Sequence, residues 1–153
     1  MSLDLIPLKN PLQSKTDTKA NGCQGSECTA DKAIDEMDAT WSVAEPKSGS
    51  HSWWTAELTK YAKIEKVVLS SSSEKAFKDM VVNEFKVEIS NTSTGSWKIC
   101  KVIEMEEPFI GHVIRCAKPM TARYLRLSIS TGKNLVLREV KVFGTEVKGK
   151  TNL

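Results

Sequence analysis

Long hydrophobic runs are absent from this chain, and no apolar stretch is long enough to span a bilayer. Blocks of one charge sign are absent too. Lys and Arg are spread among Glu and Asp, and the net charge is only slightly positive. Nothing therefore demands nucleic acid or a membrane-surface helix. Catalytic signatures are missing: there is no GxSxG, no HExxH and no Gly-rich phosphate loop. The two histidines, His51 and His112, are isolated. Asp and Glu are abundant but form no distinctive pair for glycoside hydrolysis, so catalysis is not expected. No signal peptide is visible. Met1-Ser2-Leu3 reads as an added start, which leaves room for a secretion signal removed upstream. No repeat and no linker divides the 153 residues, a length that fits one domain with a real core.

Four cysteines are present: Cys23, Cys28, Cys100 and Cys116. An even count allows two disulfides in three connectivities. Zinc is the alternative, but it wants paired CxxC units or nearby histidines. The spacings here are unequal and the histidines lie far from either pair, so disulfides and an oxidising compartment are favoured. Asn91-Thr92-Ser93 is a formal glycosylation sequon in a turn-like stretch.

The chain's landmark is Ser52 to Leu69, opening on Trp53 and Trp54. Adjacent residues of a strand face opposite ways. One tryptophan can anchor the core while the other sits at a sheet end, or the pair can form a ligand platform. A tight polar connection is expected around Lys60. Upstream, Leu5 to Gln13 holds Pro7 and Pro11 and reads as an extended edge segment. Thr29 to Met37 is the best helix candidate, with Thr29 or Asp31 as cap. Downstream, Phe85 to Ile89 and Arg123 to Ile129 alternate strictly, and Trp97 to Ile103 and Leu135 to Phe143 are further strands. Val113 to Cys116 is a short strand expected to break at Lys118-Pro119. The tail Thr145 to Leu153 is polar and expected to be loose. Many short strands with almost no helix argue for an antiparallel β sandwich or barrel.

Six pieces, in order, resemble the discoidin domain, also called the coagulation factor 5/8 C-terminal domain. They are LKNPLQS at Leu8 to Ser14, Ala33-Ile34-Asp35, Ser52-Trp53-Trp54 to Leu58, Ile64 to Leu69, Ala122 to Leu127 and Leu137 to Gly144. The resemblance spans residues 8–144, with 1–7 and 145–153 as flanks. Within that superfamily, Trp97-Lys98-Ile99-Cys100 followed by Cys116 resembles the F-type lectins, which bind fucose.

The resemblance implies an all-β fold, an eight-stranded antiparallel jelly-roll sandwich. It also implies a Cys100–Cys116 disulfide, leaving Cys23 with Cys28. It implies a structural Ca2+ beside the early helix. Asp35 and Glu139 would give carboxylates to it. Lys32, Met37 and Arg138 would give carbonyls, with Ser48 or Ser50 closing the shell. Glu36 stands where the family has Gly, and Met37 where Asn is common. For the sugar, the resemblance points to His51, Lys75 and Lys78, in place of the family's histidine and arginines. The function implied is a non-catalytic, extracellular carbohydrate-binding module for a fucosylated or galactose-containing glycan. Its site would lie in loops at one end of the sandwich. The alternative is an adhesion module for a protein or an anionic phospholipid surface, with Phe77 or Phe109-Ile110 as apolar tips beside basic residues.

Overall fold

The structure, a computed structural model, describes residues 3–19, 22–37, 39–46, 51–71, 82–105, 110–129 and 133–148. Two long strands organise it, β4 (Ser52–Ser70) and β7 (His112–Ile129). In the first part of β4 the alternation is strict: Trp54, Ala56 and Leu58 are buried, while Trp53, Thr55 and Glu57 face outward. This part pairs with residues 124–129 of β7. The later part, residues 62–70, pairs with the first half of β7 and with β9 (Glu139–Glu146). The register shifts between Glu57 and Ala62, where the strand bends.

Both long strands thus pass from one layer of a sandwich into the other. The first layer runs β2 (Leu8–Gln13), β4, β7, β5 (Val82–Ser90), β6 (Lys98–Met105). The second runs β1 (Asp4–Ile6), β9, β4, β7. A two-stranded ribbon of β3 (Ser42–Ala44) and β8 (Leu135–Leu137) flanks them. Every pairing is antiparallel. The inward side chains of both layers, among them Trp54, Ile64, Phe85, Leu125, Leu127 and Val142, form one core. This is the all-β jelly-roll sandwich expected.

Trp54 is fully buried, and its Nε1 donates to the carbonyl of Ala30 at 2.9 Å. That bond satisfies the one polar atom of a large apolar side chain. It also fastens the short 310 turn, Ala30–Ile34, onto the sandwich. Trp53 is the outward partner, so the core-anchor reading holds for Trp54 alone.

Four local expectations change. The segment at 29–37 forms only the 310 turn. Glu36 follows at φ 60°, a left-handed conformation that ends any helix. Lys60 lies in the bend of one continuous strand, not in a connection between two. β7 also runs on through Pro119. Arg115 pairs with Lys66 and Met120 with Ile64, so residues 116–119 oppose Glu65 alone. Proline is tolerated in such a bulge because no ladder hydrogen bond is asked of it. Finally, Asp4–Ile6 pairs with β9, and β9 continues to Glu146, so ordered pairing extends beyond 8–144 at both ends.

Both disulfides form as the resemblance implied, Cys23–Cys28 and Cys100–Cys116. The second joins β6, at the edge of the first layer, to the part of β7 at the edge of the second. The first is buried with Val43 and Val136 beneath Trp41.

Candidate functional site

The outward face of the first layer holds a polar groove. Three adjacent strands bring its residues into register: Trp53 beside Ser128 beside Lys86, and Thr55 beside Arg126 beside Glu88. The alternation that buries Trp54, Leu127 and Val87 turns these residues outward. Arg126 donates from Nε at 3.1 Å and Nη2 at 3.0 Å, both to Oε1 of Glu88. Its guanidinium lies 4.7 Å from the ring centre of Trp97, which precedes β6. Stacking and ion pairing together lock the arginine plane. Glu88 itself is nearly buried. The groove encloses about 250 Å³ and is lined by His51, Trp53, Lys86, Glu88, Arg126 and Ser128.

His51 is exposed and opens the groove at the start of β4. Next to it, Ser52 Oγ donates to the carbonyl of Lys133 at 2.6 Å, which fixes that end of the strand. Lys75 and Lys78, the other expected sugar ligands, lie outside the described residues, as do Phe77 and Phe109. Ile110 is described and is 75 % exposed. Sequence reading missed Arg126, Glu88 and Trp97. Arg126 sits inside the Ala122 to Leu127 motif and reads there as a strand residue. Only the register of β5 against β7 shows which carboxylate it meets.

A second cluster lies where the 310 turn meets β9. The backbone N–H of Glu36 donates to the carboxylate of Glu139. Burial raises the Glu139 carboxyl to about 7; Lys141 opposes the shift, and the charges of Asp35 and Glu36 add to it. Asp35 accepts hydrogen bonds from Met37 N at 3.0 Å and from Thr40 Oγ1. The Met37 carbonyl accepts from Thr40. Arg138 donates its N–H to the carbonyl of Ser70 at 2.7 Å, and its Nε is buried with no hydrogen-bond partner among the described residues. Lys32 lies in the turn, with Nζ 3.8 Å from Asp31. The structure therefore gathers Asp35 and Glu139, while Ser48 and Ser50 lie outside the described residues. Among the described residues no group of three or more His, Cys, Asp or Glu side chains is placed to hold a metal. A cation here would draw on two carboxylates and on carbonyl oxygens. Oxygen donors of both kinds, with carboxylates that repel one another, fit a hard divalent ion.

The jelly-roll sandwich, with a polar-aromatic groove on one sheet and carboxylates beside a short early turn, places the chain among all-β sandwich domains. The chain belongs to the F5/8 type C domain family, which matches residues 14–140. No curated protein matches it. Among solved structures it is similar to a fucolectin from striped bass serum, with a TM-score of 0.77 and 18 % identity. That match covers 96 % of this chain and 52 % of the fucolectin, so the chain spans about half the length of that relative. It is similar also to a family 32 carbohydrate-binding module of Clostridium perfringens NanJ, solved with galactose. There the TM-score is 0.71 and the identity 14 %, covering 93 % of this chain and 99 % of the other. A fucose-binding module of Streptococcus pneumoniae superposes at 0.65 with 19 % identity, covering 90 % and 95 %.

Proposed function

We propose that the protein is a non-catalytic, extracellular carbohydrate-binding module that holds a glycan in the groove beside His51. The observation that carries this is the Arg126–Glu88 pair stacked on Trp97. A sugar presents adjacent hydroxyls that both donate and accept. A fixed guanidinium and a fixed carboxylate answer both needs, since one only donates and the other only accepts. Lys86, Ser128 and His51 add further polar contacts, and the Trp53 ring offers an apolar surface. Fucolectin and galactose-binding neighbours of the same fold support a fucosylated or galactose-containing ligand. Two disulfides support an oxidising, extracellular setting. A glycan array run with the native chain and with Arg126→Ala tests the reading. Binding to at least one glycan, weakened tenfold or more in the variant, is expected. Silence on every glycan, or an unaffected variant, would sink it.

Calcium is proposed as a structural ion between the 310 turn and β9. Asp35 and Glu139 would supply carboxylates; Lys32, Met37 and Arg138 would supply carbonyls, with Ser48 or Ser50. The ion would offset the burial that chiefly raises Glu139 and the repulsion from Asp35 and Glu36 that adds to it, and would tie the turn to the strand. Anything bound only by the native state raises the unfolding midpoint. A higher midpoint in calcium than in chelator is expected for the native chain and not for Asp35→Asn. Equal midpoints with and without calcium count against the ion.

A further inference from the structure

The two outer faces of the sandwich treat their charges differently. On the first layer four cations around the groove and its neighbouring strands are answered: Lys9 and Arg123 pair with Glu57, Arg126 with Glu88, and Lys86 with Glu84, while Lys98 and Lys101 on the edge strand β6 are in no ion pair among the described residues. On the second layer, among the described residues, Lys60 at the bend of β4 pairs with Glu146 on β9, but the cations farther along β4 and β7 are in no ion pair. Lys66 on β4 lies directly opposite Arg115 on β7. Lys63 is three residues back along the same strand, and Lys118 sits in the neighbouring bulge. None of these four is in an ion pair among the described residues. Like charges directly opposite on neighbouring strands are destabilising, and strands lie only about 4.8 Å apart. Lys66 extends over Phe143, with Nζ 4.9 Å from the ring centre, so its position is set by packing and not by a carboxylate. Lys141 on β9 adds a fifth cation, although it also feels Glu139 at the strand end. Glu65, in the bulge, is the acid within the patch.

We infer that this outer face of β9, β4 and β7 is a second binding surface, for a polyanionic polysaccharide of sulfate-like charge density. The inference does not rest on the groove reading, because the two faces belong to opposite layers. The argument for the occupant is charge complementarity. The four cations lie on two adjacent strands, outnumber the one acid among them, Glu65, and form no ion pair among the described residues. A linear polyanion can run along them and meet each in turn. A membrane is the poorer partner, since the cations stand on a pleated strand face and not on protruding apolar loop tips.

The test uses the full chain and three probes: heparin, neutral dextran, and vesicles of phosphatidylserine in phosphatidylcholine. The expected result is heparin binding that falls steeply with added sodium chloride, as multiple charge contacts require, with no binding to dextran. Lys66→Ser/Arg115→Ser should weaken it tenfold or more. Lys9→Ser/Lys15→Ser, which removes the same charge elsewhere, should change it less than twofold. At low salt the first pair should also unfold no earlier than the native chain, since it relieves a like-charge contact. If it unfolds earlier, Lys66→Gln alone gives the same reading and should weaken heparin binding threefold or more. The inference is overturned if the native chain ignores heparin. Equal losses in both double variants, or binding to the vesicles in place of heparin, overturn it as well.

Discussion

At the scale of single residues, Glu36 shows how much one backbone angle decides. Its φ of 60° is unusual for a residue with a side chain, and the resembling family has Gly at this place. The left-handed turn aims the Glu36 N–H at Glu139 and brings a second acid beside it. The consequence is a pH dependence with a definite sign. The Glu139 carboxyl goes from the ordinary 4.5 to about 7 in the fold. Between those values the folded chain holds a proton that the unfolded chain has released. Stability from this group is therefore full below pH 4.5 and is lost as pH rises through 7. In chelator, Glu139→Gln should flatten that part of the stability profile and raise the midpoint at pH 8. A variant whose profile still falls across the same window contradicts the assignment. The groove belongs to this scale too. Its outward residues follow from alternation, which a sequence shows. That Arg126 meets Glu88 and stacks on Trp97 depends on registers between strands far apart in the chain.

At the scale of elements, strand identity was legible and strand continuity was not. The alternation at Phe85 to Ile89 and Arg123 to Ile129 appears as expected in β5 and β7. Pro119 and Lys60 read as breaks because local composition cannot distinguish a turn from a bulge or bend within a strand. The distinction comes from the partner strand, which keeps pairing on both sides of the irregularity. Gly144 belongs to the same irregular zone. It is buried on β9 opposite Ile64, and a Cβ there would be driven into the carbonyl oxygen of Lys63. Gly144→Ala should cost roughly 1–3 kcal/mol, the range for forced overpacking. Chemical denaturation measures it, and a neutral substitution would show that the bulge at Glu65 yields freely.

For the whole molecule, the jelly-roll sandwich and the two disulfides were within reach of the sequence through the family resemblance that its motifs, set in order, carry. The motifs are spaced along the chain as the strands are. The second cation-rich face was not, since its members come from separate strands and are ordinary surface residues one by one. β4 and β7 have one further effect. Each runs through both layers, so the layers are halves of the same two strands rather than two sheets pressed together. Neither half can loosen without pulling on covalent chain in the other. Slow amide exchange should therefore report a single opening event, with Ala56 in the first layer and Val67 in the second sharing one opening free energy. Two clearly different values would mean that the bend at residues 59–61 acts as a hinge between independently breathing leaves.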